Sequence, residues 1–346
     1  MNAKLSRRLS SFCREAAGAA VYWSGAGRAF ELAARPTGAI ILMYHSISTD
    51  NVAEFVDPPN RLPPPMFERQ MAFLSEHRRV VPLSHVVEQI TSGTPPPAGT
   101  VCITFDDGYL DNLTTVAPIL ERHKLPATLF LATGYVGRGE AQWADTLYWL
   151  LTHRTSDRLS LPSVGLEEVN LASPARRAAA RGLLHGHLLE STHDQRSRLL
   201  SEMKHQLAPA GKAPRLTINW DEVRELRRRY PFFEIGGHTR DHVDLRTHVG
   251  ETARSQITGC ADDLRRELGL EPGHFSFPYA RWCAETRDEV IALGWKSAVG
   301  MGDGLRIGPA SDRFAMPRVE SPGSMAELRF KTSGAYPGAL SILGLM

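Results

Sequence analysis

No apolar run in this chain approaches the roughly 18–20 residues of a membrane-spanning helix, so a conventional span is excluded from the sequence. Paired cysteines are lacking too. The four present, Cys13, Cys102, Cys260 and Cys283, show no CxxC spacing and offer no disulfide framework, which favours a reducing compartment. Charge of one sign is not in excess: 40 Lys and Arg against 38 Asp and Glu leave +2, and nothing points to a nucleic-acid partner. The arginine runs at 176–177, 227–229 and 265–266 read as solvated helix faces. No secretion signal is expected either, because Arg14 and Glu15 interrupt the apolar stretch after the basic start and residues 16–23 are short for a signal core. The expectation is a cytoplasmic enzyme whose residues 1–37 form a helical segment, with its first part amphipathic and in peripheral contact with a membrane or partner. GxSxG and GxxxxGK[ST] are both absent, which removes a serine-nucleophile elbow and a phosphate loop; GMGDG at 300–304 reads as a loop of the fold.

What is present suits a globular enzyme, at 42% hydrophobic and 23% charged over 346 residues. GAIILMY (38–44) is an apolar run followed at once by His45, and further runs lie at Val101 to Phe105 and in ATLFLAT (127–133). Helical spacing separates them, as at Phe67, Met71 and Leu74. Strands alternating with helices predict an α/β architecture with parallel strands. Residues 140–215 break the alternation with helical periodicity and few β-branched residues, and read as a mainly helical insertion over the mouth of the fold. Trp143 and Asp145 in it either reach substrate or join a small satellite core. Asn219 or Asp221 caps the helix that follows. The expected organisation is a domain over 38–330 that includes the insertion, and a tail over 331–346.

Two stretches carry chemistry. Asp106-Asp107, in ITFDDGY (103–109), ends a buried strand, where desolvating two charges is costly without a cation or donors. His238 and His242, in GHTRDHVDL (237–245), have i,i+4 spacing, which puts both rings on one face if the segment is helical. One carboxylate and two imidazoles make a three-ligand set with open positions for water and substrate. Zn²⁺ suits that mixture, and Co²⁺, Ni²⁺ or Fe²⁺ fit it as well.

TFDDG, HTRDHVDL and FSFPYA together resemble the first three motifs of the NodB-type polysaccharide deacetylases, carbohydrate esterase family 4, over roughly residues 38–320. The resemblance implies a distorted, incomplete (β/α) barrel and a role for each residue. Asp107, His238 and His242 would hold the metal, and Asp106 would be the general base. The backbone N–H of Tyr279 would help hold the oxyanion. A metal-bound carboxylate is a poor base, so its neighbour takes the proton; the turn at Gly108 is needed for both to address one site.

Two departures stand out. The family's Arg before Pro-Tyr is absent, since Ser276 and Phe277 stand there; Arg281 or Arg318 would have to supply that guanidinium. The late Leu-Leu-His is absent after residue 300. Leu183-Leu184-His185 matches it but lies in the insertion. His45, in LMYHSI, instead resembles the YH of the branch whose histidine motif is permuted to the N-terminus, and is assigned as the acid for the leaving amine.

The expected function is metal-dependent removal of N-acetyl groups from amino sugars of a polysaccharide, oligosaccharide or lipid-linked glycan precursor, by activated water without an acyl-enzyme. Alternatives are deformylation or O-deacetylation of a related glycan, cyclic-amide hydrolysis, or a degenerate module that binds glycan without turnover.

Overall fold

A computed structural model describes residues 37–302 and 305–333, and the structural statements below concern those residues. The expected N-terminal amphipathic segment with Cys13, the last two residues of the GMGDG loop and the tail from 334 lie outside them.

Ten strands form: β1 (Ala39–Tyr44), β2 (Arg79–Val80), β3 (Thr100–Phe105), β4 (Ala127–Leu131), β5 (Arg158–Leu161), β6 (Leu166–Asn170), β7 (Phe233–Gly237), β8 (His274–Ser276), β9 (Ser297–Gly300) and β10 (Met316–Glu320). All but β5 and β6 belong to one parallel sheet ordered β1-β10-β9-β8-β7-β4-β3-β2. A further pairing of β1 with β3, from Ala39↔Thr100 to Tyr44↔Phe105, closes seven of these strands into a ring. The wall is uneven at β3. β2 takes its first half, at Arg79↔Thr100, and β4 joins only at Thr104 and Phe105. This is the distorted (β/α) barrel that the motif resemblance implies.

Strand alternation explains how the lumen is filled. Ile40, Leu42, Tyr44, Ile103 and Phe105 pack outward with Phe67, Met71 and Leu74 of helix Pro64–His77. Ile41, Cys102, Phe130, Val299 and Met316, from five different strands, meet in a separate cluster closed by Leu83, Val86 and Ile90 of helix Leu83–Thr91. Only the interior of the ring brings five strands together, so these positions face inward. At the same end, Glu234 accepts from Thr128 Oγ1 at 2.9 Å and from the Leu83 amide at 3.1 Å, capping that helix. With a period of two, the inward residues nearer the C-terminal ends are Thr104, Asp106, His238, Ser276 and Arg318. In parallel barrels that is the end where sites gather. Gly236, inward on β7, has no room for a side chain, because a Cβ there would lie 2.5 Å from the His274 carbonyl oxygen.

The insertion lies between β4 and β7. Its helices Trp143–Thr152, Pro174–Glu190 and His193–Leu207 enclose their own apolar cluster, including Trp143, Leu147, Leu150, Leu184, Leu188, Leu199 and Met203. The antiparallel hairpin β5–β6 is an addition to the expected helices. Of the two cap candidates after the insertion, Asn219 caps helix Trp220–Arg229, in a reciprocal box with Glu222. No helix among the described residues is long and apolar enough to cross a membrane.

Candidate active site

The site starts at the end of β3. Asp106 continues the alternation and points into the lumen. Asp107 then adopts φ 74° and Gly108 φ 84°, two successive left-handed residues that turn the second carboxylate back toward the first. A non-glycine residue in that region is held at a cost of about 1–2 kcal/mol. Gly108 suits the turn on a second count, since a Cβ would sit 2.9 Å from Leu131 Cδ2.

The histidines converge by another route than the one expected. Residues 238–245 are not helical. His238 closes β7, its amide donating to the Leu131 carbonyl at 2.9 Å, and the loop then reverses through positive φ at Thr239 (59°) and His242 (49°). A helix would have spaced the rings along one face; the left-handed turns fold the second ring back onto the first. His242 Nε2 lies 3.1 Å from His238 Nε2 and 3.2 Å from Asp107 Oδ1, and His238 Nε2 lies 3.7 Å from the same oxygen.

One ligand atom from each of Asp107, His238 and His242 falls within 4.8 Å of the others. The fit to a divalent ion rests on three features of the donor set. Asp107 Oδ1 is buried and has no hydrogen-bond partner. Burial, and then the charge of Asp106, push the Asp107 carboxyl well above its usual range, so its ionised form lacks a compensating cation. Both imidazoles are held neutral by burial, the state in which they ligate. Their outer nitrogens are engaged. His238 Nδ1 donates to the Ser276 carbonyl at 2.7 Å, and His242 Nδ1 lies 2.9 Å from the Tyr279 hydroxyl, which leaves both Nε2 lone pairs pointing at the shared space. The residues fit the metal.

Asp106 has a different partner. Arg318 Nη1 and Nη2 donate to its two oxygens at 2.7 and 2.6 Å, and Nη2 also donates to Ser276 Oγ at 2.8 Å. Burial alone would raise this carboxyl, but Arg318 and then His238 outweigh it and hold it well below the usual range. Of the two arginines considered, Arg318 thus stands against the carboxylate. Arg281 pairs instead with Asp244, at 3.1 Å.

His45 follows β1 at the same rim and is half-buried. Burial pushes its imidazole down to about 4, against the pull of the Asp106 charge. Asn112 Nδ2 holds its carbonyl at 3.1 Å, from the first residue of a wide π-type turn, Asn112–Val116. His185 sits elsewhere, on helix Pro174–Glu190, with its ring 4.9 Å from that of Trp143.

Tyr279 lies in a tight turn after β8, at φ 58° and ψ 15°. The amides of Ala280 and Arg281 are committed to Phe277 and Pro278, both at 3.0 Å, and Pro278 has none to offer. Its side chain does more than pack. The ring stacks edge-on against His242 with centroids 4.5 Å apart, and the hydroxyl accepts from Trp143 Nε1 at 2.7 Å. Trp143 therefore belongs to the satellite core, as one of its two readings had it, and its indole N–H reaches the site through Tyr279. Sequence reading missed the Tyr279 hydroxyl, the Ser276 carbonyl and Arg196, whose guanidinium donates to the His242 carbonyl at 3.1 Å. Main-chain oxygens carry no sequence signal, and Arg196 is one of two arginines on its helix.

A family model described as polysaccharide deacetylase matches residues 93–298 of this chain. The Bacillus subtilis (strain 168) protein YxkH, itself assigned to the polysaccharide deacetylases by name only, is 33% identical over 105 residues. That match spans 30% of this chain and 35% of YxkH, about a third of the relative's length. Among solved structures, the Streptococcus pyogenes deacetylase PplD, in complex with acetate, is similar at a TM-score of 0.58 and 17% identity, over 86% of this chain and 99% of PplD. IcaB from Ammonifex degensii is similar at 0.54 and 14% identity, over 86% of this chain and 98% of IcaB. At such identities the likeness is one of fold.

Proposed function

This chain belongs to the polysaccharide deacetylase family, and we propose that it removes N-acetyl groups from amino sugars of a glycan, with one divalent metal ion as cofactor. The observation that carries the reading is the meeting of Asp107, His238 and His242 within 4.8 Å, beside a second carboxylate clamped by Arg318.

The roles follow from the chemistry of each group. Asp107, His238 and His242 would hold the ion. When bound, it supplies a Lewis acid for the amide oxygen and the attacking water. Asp106 is left free of that duty and takes the proton of the water as its oxygen attacks the acetyl carbon. Arg318 fixes both carboxylate oxygens, so the base meets the water in one orientation. The Tyr279 amide, in a turn whose other amides are occupied, faces the developing oxyanion. His45 delivers a proton to the nitrogen as the C–N bond breaks, giving acetate and a free amine. Neutral in the resting site, it is charged only in passing, by the proton that Asp106 took from the water, and hands that proton to the departing amine.

The donor set suits Zn²⁺, with Co²⁺, Ni²⁺ and Fe²⁺ as competitors. The substrate is read as a polymer, an oligosaccharide or a lipid-linked precursor carrying acetylated amino sugar. An enzymatic assay for acetate, formate and ammonia release across acylated amino-sugar glycans tests the reaction. Acetate from N-acetylated sugars, abolished in Asp106→Asn while metal content is kept, is the expected result. Formate or ester-derived acetate alone would move the assignment to deformylation or O-deacetylation. Stoichiometric metal without turnover on any member of the panel would reduce the chain to a binding module.

A further inference from the structure

Arg196 is 1% exposed, on helix His193–Leu207 of the insertion, and among the described residues no carboxylate pairs with it. A guanidinium buried without a counter-charge costs several kcal/mol unless its donors are satisfied. Here four contacts go to main-chain oxygens, and the guanidinium also meets the Tyr135 hydroxyl. Nε reaches Leu188 at 2.7 Å and Nη2 reaches Leu189 at 3.3 Å, while Nη1 spans Asp241 at 2.9 Å and His242 at 3.1 Å. Leu188 and Leu189 lie in the last turn of helix Pro174–Glu190, whose carbonyls carry the negative end of the helix dipole. Arg196 thus ties that helix end to the loop bearing the second histidine. Its guanidinium carbon lies 5.2 Å from the centre of the Trp143 ring, and Trp143 in turn donates to Tyr279, which holds His242 Nδ1. The two contacts grip one residue from both sides, carbonyl and ring, and both originate in the insertion.

His242 needs such a grip. Its φ of 49° is one that L-residues leave unless the surroundings hold them there. We propose that the insertion is part of the metal centre, with Arg196 and Trp143 as positioning residues that hold His242 in its left-handed turn and thereby set the affinity for the ion. This rests on the metal-site reading above. Relaxation of the turn would swing Nε2 away from Asp107 while leaving His238 in place on β7.

The test is metal affinity, measured by competition with a chromogenic chelator using Zn²⁺, on the full-length Arg196→Met, Arg196→Lys and Trp143→Phe proteins, each checked by circular dichroism and thermal melting. Arg196→Met is expected to fold and to bind Zn²⁺ roughly 10–100-fold more weakly, the range for lost outer contacts to a metal ligand. Arg196→Lys should recover part of the loss, and Trp143→Phe, which removes only the indole N–H, should weaken binding in the same direction. A folded Arg196→Met protein with wild-type Zn²⁺ affinity would overturn the proposal and leave Arg196 as a brace of the insertion. If Arg196→Met does not fold, the decision passes to Trp143→Phe: unchanged affinity there overturns the proposal and weakened affinity supports it. Wild-type protein that takes up no Zn²⁺ removes the metal-site reading itself, and this inference with it. A lack of turnover with intact Zn²⁺ binding touches only the reaction.

Discussion

Arg318 and Asp106 meet in a two-point clamp inside the lumen, with Nη1–Oδ1 at 2.7 Å and Nη2–Oδ2 at 2.6 Å, and both side chains are almost wholly shut off from solvent. Breaking a buried pair from one side leaves an uncompensated charge, at a cost of about 3–5 kcal/mol. Arg318→Met should therefore lower stability by about that amount in urea unfolding at neutral pH. It should also let the Asp106 carboxyl rise, because the cation that outweighs burial is gone. The acid limb of the rate profile then moves to higher pH. A profile that stays in place while stability falls would separate the clamp from the chemistry.

Burial holds the His45 imidazole at about 4, below its ordinary 6.5. The unfolded chain therefore binds this proton first. The contribution of His45 to stability is complete above about 6.5 and is lost as pH falls toward about 4. In His45→Gln that contribution is absent, so the wild-type stability curve should fall more steeply than the variant's across this window at fixed metal content. Turnover of the variant should drop by about 10²–10⁴ with metal content unchanged, the range for a lost acid. Parallel stability curves would place His45 in a more open setting than the structure gives it.

Metal uptake should release a proton. In the metal-free site burial and Asp106 raise the Asp107 carboxyl, which favours its protonated form, and a cation that binds there must displace that proton. Calorimetry of Zn²⁺ binding in buffers of different ionisation enthalpy should register the release, and affinity should increase with pH. At an ion concentration 100 times Kd the folded state gains about 2.7 kcal/mol, seen as a higher melting temperature. His238→Ala should show neither effect.

Gly236 offers a check on the fold alone. A methyl group there would lie 2.5 Å from the His274 carbonyl oxygen and 2.6 Å from Phe130 Cδ1. Gly236→Ala should cost about 1–3 kcal/mol through overpacking, measured by thermal melting, with metal affinity reduced only as far as β7 shifts. An unchanged melting temperature would mean that the lumen yields more readily than its contacts suggest.

Much of the arrangement was legible beforehand, for a physical reason that also marks where legibility stopped. The runs at β1, β3 and β4 are buried on both faces, and such strands declare themselves as continuous apolar segments. Asp106 and Asp107 stood out against that background. His238 and His242 were legible as residues and illegible as geometry. The positive φ values at Thr239 and His242 oppose local preference and persist through contacts from an arginine far earlier in the chain. The partner of Asp106 was open between Arg281 and Arg318, because only the pairing of β1 with both β10 and β3 brings the latter beside the carboxylate. The hairpin β5–β6 escaped notice because its strands are short and half exposed, with too little apolar alternation to register.

The grip of Arg196 has a consequence for variation and redesign. It reads oxygens that every amino acid presents identically, so the side chains at 188, 189, 241 and 242 are no part of what it recognises. A cap of different composition grafted onto this barrel would need one guanidinium at the right height, and an indole N–H placed to meet Tyr279, to restore the same hold.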